Sequence, residues 1–111
     1  MTITKDQFIE ALNRQQDSRG RVYVLLLEHD CYYIGWTENI GHRLNNHFRG
    51  KGSAVTKTLN PIKVVDIYIG DKRKEHAVYD DYRERYGKNR VFGALQHSIP
   101  IWVMEELGLK H

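Results

Sequence analysis

The sequence predicts an α+β domain, a small three-stranded antiparallel sheet flanked by helices. Three observations lead there. Val22–Leu27 and Cys31–Trp36, two runs rich in β-branched and aromatic residues, are separated only by Glu28-His29-Asp30, the spacing of a hairpin. Next, apolar residues at 40, 44 and 48 repeat every four positions, the mark of a short amphipathic helix. Finally, the strand-like run Ile62–Ile69 is followed by a long charged segment, Lys72–Tyr86, of helical composition.

Taken in order, Lys5–Gln15 is an amphipathic helix with Phe8, Ile9, Ala11 and Leu12 clustered and Thr4 as its cap. The polar stretch Gln16–Gly20 ends it. The hairpin follows, then helix Ile40–Phe48, capped by Thr37 or Asn39. Ser53–Leu59 forms a second short helix, stopped at Asn60-Pro61 because a proline disfavours helical backbone in the residue before it. Gly70-Asp71 closes the third strand, and Gly87 stops the long helix. The tail Ile99-Pro100-Ile101-Trp102-Val103-Met104 is too apolar to be loose and packs on the core or on a partner. The expectation is one domain over 1–111, with a core at 21–93, an N-terminal helix at 5–15 and an apolar tail at 99–109.

Composition narrows the classes. A chain of 111 residues suits one domain with a modest core. Its net charge of +3 and pI near 9.0 are compatible with an anionic partner. Arg43, Arg49, Lys51, Lys57 and Lys63 lie close together, flanked by His42 and His47, either as a solvated basic face or as phosphate contacts. The single Cys31 excludes an internal disulfide and a cysteine-based zinc site, and its place in a strand suggests a buried structural thiol. No segment has the apolar length of a membrane span and no signal peptide is evident, so a cytoplasmic location is the default expectation. The histidines form no HExxH pattern, Gly50-Lys51-Gly52-Ser53 lacks the spacing of a phosphate loop, and no serine has a nucleophile-elbow setting.

The chemistry concentrates at regular steps: Tyr23, Tyr33, Arg43 and then His47. Arg43 and His47 are one helical turn apart and share a face, on which tyrosines from two paired strands can converge. Such a group suits a phosphate. Tyr33-Ile34-Gly35, with Tyr23 before it, Arg43 and His47 after it, and the glycine-rich turn Arg49-Gly50-Lys51-Gly52-Ser53, resembles the GIY-YIG nuclease family over about residues 21–93. The resemblance implies that Tyr23, Tyr33, Arg43 and His47 are catalytic and that Ile34 and Gly35 are structural parts of the motif. It also implies DNA contacts at Arg49, Lys51 and Lys57, and a bound Mg2+ or Mn2+.

Several positions depart from the family pattern. The glycine of the first motif is displaced to Gly20, and Phe92 stands where arginine is often found. Asn89 and Gln96 both compete for the family's late asparagine. The family's metal-binding glutamate lies on the helix after the third strand, four residues beyond a small one, and counting from Ala77 reaches Asp81. If Ala77, Val78 and Tyr82 mark the apolar stripe, Asp81 faces inward and needs a magnesium ion or a cation such as Arg43 or Lys57. Glu75 and Glu84 are the fallback ligands. The expected function is therefore a metal-dependent endonuclease that hydrolyses DNA phosphodiester bonds, with Tyr23, Tyr33 or His47 handling the proton. The alternative is a catalytically degenerate fold that binds nucleic acid or protein, with the Trp102 tail as a dimer or partner surface.

Overall fold

The hairpin forms as its sequence predicts. In the computed structural model, which describes residues 20–93 and 99–109, β1 (Arg21–Leu27) pairs antiparallel with β2 (Cys31–Thr37). A 3-10 turn at Glu28–Asp30 joins them, with His29 and Asp30 at φ of 62° and 55°, a region that His and Asp tolerate better than most residues. The helix expected at 5–15 lies outside the described residues, as do Ala94 and Gln96.

α1 (Ile40–Phe48) follows, and of the two candidate caps it is Asn39 whose side chain accepts from the His42 N–H. Thr37 instead accepts from the Asn39 N–H at 3.0 Å, fixing the cap itself. α2 (Ala54–Thr58) opens on a capping box in which Ser53 and Thr56 satisfy each other's backbone N–H groups. β3 (Pro61–Ile69) pairs antiparallel with β1 on the side away from β2, with the register shifting between Val24 and Leu25 and between Leu26 and Leu27. α3 (Lys72–Tyr86) is capped by Asp71 and ends at Gly87, whose φ of 95° favours glycine.

The sheet has four strands rather than three, and it is mixed rather than purely antiparallel. β4 (Val91–Gly93) adds parallel to β2, giving the order β3-β1-β2-β4. Three residues carry too little periodicity to announce a strand, and the partner is distant in sequence. The tail forms α4 (Ile101–Glu106), whose Val103 is buried in the core while Ile101 and Trp102 stay exposed.

Alternation along β1 and β2 divides the core in two. Tyr23, Leu25, Leu27, Cys31 and Tyr33 pack with Leu44, Val55, Phe92 and Val103 under α1, α2 and α4. Val22, Val24 and Ile34 pack with Val78 and Tyr82 of α3 on the other face. Cys31 is a buried free thiol as expected, with burial pushing its pKa up to about 11. Among the described residues no helix is long and apolar enough to cross a membrane.

Candidate active site

Tyr23, Arg43 and His47 meet at one buried oxygen. The register of the hairpin sets Leu25 opposite Tyr33, which brings Tyr23 and Tyr33 onto the same face with ring centroids 6.3 Å apart. α1 lays its last two turns over that face. His47 Nε2 is 2.8 Å from Tyr23 Oη, and Arg43 Nε donates to the same oxygen at 3.3 Å. The His47 ring, fully buried, sits 5.4 Å and 5.1 Å centroid to centroid from Tyr23 and Tyr33.

Two glycines make this approach possible. A Cβ on Gly35 would collide with the hydroxyl and ring of Tyr23, and one on Gly52 would collide with the ring of His47. The glycine of Tyr33-Ile34-Gly35 is therefore a packing requirement of the tyrosine opposite it in the sheet. That of Gly50-Lys51-Gly52 serves the histidine in the same way.

The environment keeps the tyrosines and the histidine neutral. Burial, then the neighbouring Tyr33, raise Tyr23 well above the usual phenol range, with Arg43 pulling back. Burial also raises Tyr33, against the pull of Ser53 and Arg43. His47 is pushed down to about 3, first by burial and then by the Arg43 charge. Burial opposes the charge on Arg43, yet the oxygens of Tyr23 and Tyr33 outweigh it and raise its pKa. One fixed cation thus sits among neutral, hydrogen-bonded groups, which is a place for an anion.

The acid on α3 requires a correction. Asp81 does not face inward: its side chain is 59% exposed and pairs with Arg85 at 3.0 Å, one turn along the same helix. Ala77, which set the count, is exposed as well, whereas Glu75, Val78, Tyr79, Tyr82 and Arg83 lie on the covered side. The covered stripe runs through Val78 and Tyr82 without Ala77, so a count that starts from Ala77 points to solvent. Glu75 is the acid whose charge reaches both Tyr23 and Tyr33. Its Oε2 is buried with no hydrogen-bond partner among the described residues, and burial raises its pKa despite His76 and Lys72. Asp80 and the other fallback acid, Glu84, are exposed.

Arg49, Lys51 and Lys57 are exposed on the α1–α2 segment. Trp36 donates its Nε1–H to the Gly70 carbonyl at 2.8 Å, a packing role. Thr56 was not singled out by spacing, yet its Oγ1 lies 3.0 Å from His47 Nδ1. The signal was present as the Ser-x-x-Thr spacing of the capping box, which reads only as a helix start.

Residues 19–91 match the family described as GIY-YIG catalytic domain. The chain belongs to the GIY-YIG family. Among curated relatives, it is 33% identical over 69 residues to UPF0213 protein OB0043 of Oceanobacillus iheyensis, covering 60% of this chain and 77% of that one. It is 40% identical over 55 residues to a UPF0213 protein of Syntrophus aciditrophicus, covering 49% and 63%. It is 28% identical over 69 residues to UPF0213 protein CPE1444 of Clostridium perfringens, covering 62% and 74%. No solved structure matches. Membership of the family points to a nuclease-type function.

Proposed function

We propose that this GIY-YIG domain is a metal-dependent endonuclease that hydrolyses DNA phosphodiester bonds. The observation that carries the reading is the convergence of His47 and Arg43 on the Tyr23 oxygen, within reach of the charge of Glu75, whose Oε2 is buried with no hydrogen-bond partner among the described residues. Tyr23, Tyr33, Arg43 and His47 are the working residues and Glu75, in place of Asp81, is the metal ligand. A buried carboxylate oxygen with no partner suits a hard cation, and magnesium is commonly held by one or two carboxylates plus water and substrate phosphate. When bound, Mg2+ or Mn2+ would supply charge neutralisation at the scissile phosphate and the leaving oxygen.

The chain's own groups do the rest. Arg43 hydrogen-bonds the non-bridging oxygens and stabilises the charge that builds on them. The attacking water gives a proton to Tyr23 as Tyr23 passes its own to His47 Nε2. The water oxygen forms the new bond to phosphorus, and the bond from phosphorus to the leaving oxygen breaks. No standing phenolate is needed, which matters because burial disfavours one. Burial first and the Arg43 charge second hold His47 neutral, and a bound phosphate would offset the second of these. Tyr33, beside Arg43, orients the phosphate, and Arg49, Lys51 and Lys57 hold the flanking backbone.

The test is cleavage of labelled DNA (duplex, single-stranded, flapped, branched and supercoiled) with magnesium or manganese. The wild type cuts, Arg43→Ala and Glu75→Gln do not, and Asp81→Asn cuts normally. A wild-type protein that binds these forms but cuts none of them supports the binding-module alternative instead.

A further inference from the structure

We propose that Thr56 is a positioning residue that fixes the tautomer of His47, leaving Nε2 as the acceptor for the Tyr23 proton. The proposal rests on the reading of Tyr23 and His47 as the proton-handling pair, and it follows from a count of donors and acceptors. Thr56 Oγ1 has one proton and two lone pairs. It lies 3.2 Å from the Ser53 carbonyl, which can only accept, and 3.1 Å from the Ser53 N–H, which can only donate. His47 Nδ1 is 3.0 Å away, and the Ser53 hydroxyl 3.2 Å. With the Thr56 proton on the Ser53 carbonyl, one lone pair takes the Ser53 N–H and the other takes a proton from His47 Nδ1.

The opposite assignment fails at the far end of the chain. If Thr56 donated to Nδ1, His47 would carry its proton on Nε2 and donate to Tyr23 Oη. That oxygen already accepts from Arg43 Nε. The Tyr23 hydroxyl proton would then be buried with no acceptor that the described hydrogen bonds provide, an arrangement native interiors avoid. With Nδ1 protonated, the Tyr23 proton goes to Nε2 at 2.8 Å and each donor has its acceptor. The groups facing this pair are Tyr33 from β2, Arg43 from α1 and Glu75 from α3. None of them reaches Nδ1 with a described hydrogen bond, so Thr56 is the described group that takes the Nδ1 proton, while the Tyr23–Arg43 contact disfavours the other tautomer at Nε2. Ser53 also bears on Tyr33, so the capping box that starts α2 supports both tyrosines.

The test reads the tautomer directly. Nitrogen-15 NMR of the His47 ring in the free, folded protein should show the proton on Nδ1 in wild type and in Thr56→Ser. In Thr56→Val, which cannot accept from Nδ1, the Nε2–H form should appear, with kcat for DNA cleavage down about 10–100-fold and KM nearly unchanged. That loss is smaller than the ~10²–10⁴ given by a complete general base. A wild-type ring protonated on Nε2, or a folded Thr56→Val with unchanged ring signals, overturns the proposal. The NMR result stands whether or not the protein cuts DNA, so the failure of the nuclease reading is told apart from the failure of this one. Thermal melting of each variant separates loss of the tautomer from loss of the fold.

Discussion

His47 makes the fold acid-labile, and the effect can be worked through. The ring is fully buried and its pKa falls from 6.5 to about 3, by burial first and the Arg43 charge second. In the unfolded chain the ring takes a proton as pH falls through 6.5, whereas in the folded state it does not until about 3. Between those values the unfolded state binds one more proton, so this group lowers folding stability by about 1.4 kcal/mol for each pH unit of acidification. The full window of 6.5 to about 3 corresponds to a loss of about 5 kcal/mol. Set against a typical domain stability of about 5–15 kcal/mol, that is enough to unfold a marginal protein by itself. Glu75 opposes it, because a carboxyl with a raised folded pKa gains stability as it protonates. Urea titrations from neutral pH down to about pH 4 on wild type and His47→Gln measure the difference, since glutamine can donate and accept in the same place without ionising. The variant should be less stable at neutral pH and should lose stability less steeply by about one proton's worth. Equal slopes, or an NMR titration of His47 near its ordinary value, would refute the reasoning.

Other consequences follow from the packing. Gly35→Ala should destabilise by about 1–3 kcal/mol through overpacking against Tyr23 and abolish cleavage, as urea melts and the DNA assay would register. Adding Tyr23→Phe should relieve part of that loss, because the new methyl meets the hydroxyl as well as the ring. Gly52→Ala should likewise displace the His47 ring, lowering the melting temperature and weakening its 2.8 Å bond to Tyr23, seen as a changed His47 ring resonance. Asp81→Asn, which removes an exposed pair with Arg85, should leave melting, metal response and cleavage as in wild type.

The parts of this molecule that were legible in the sequence are those with local causes. Alternating and β-branched residues announced β1 and β2, the 40-44-48 repeat announced α1, and Gly87 marked the end of α3. Fixed spacing also placed Tyr23, Arg43 and His47 together, because a hairpin register and a helical turn carry positions forward without ambiguity. What was misread depended on distant partners. β4 is defined by its pairing with β2 and not by its own three residues. Which acid of α3 is covered depends on the side of the helix that meets the sheet, and a helix so rich in charge, with an exposed alanine at 77, does not mark that side in its sequence.

The same distinction explains why the second duty of Thr56 does not show in the sequence. A helix cap is a local motif, and Ser53 with Thr56 three residues on satisfies it completely. The hydroxyl's second duty, toward His47 nine residues earlier, exists only because Gly52 lets the turn close against the ring. One side chain therefore holds a structural role that explains its presence and a chemical role that the structural one conceals. Thr56→Ser preserves both roles and Thr56→Val neither, so a third variant is needed to separate them. Ser53→Ala removes the hydroxyl that caps the Thr56 N–H but leaves the Ser53 carbonyl and N–H that orient Thr56 Oγ1. It should cost about 1 kcal/mol of stability as a lost helix cap while the His47 tautomer stays on Nδ1. Loss of the tautomer in Ser53→Ala would mean that the cap as a whole, rather than the Thr56 hydroxyl, orients the ring.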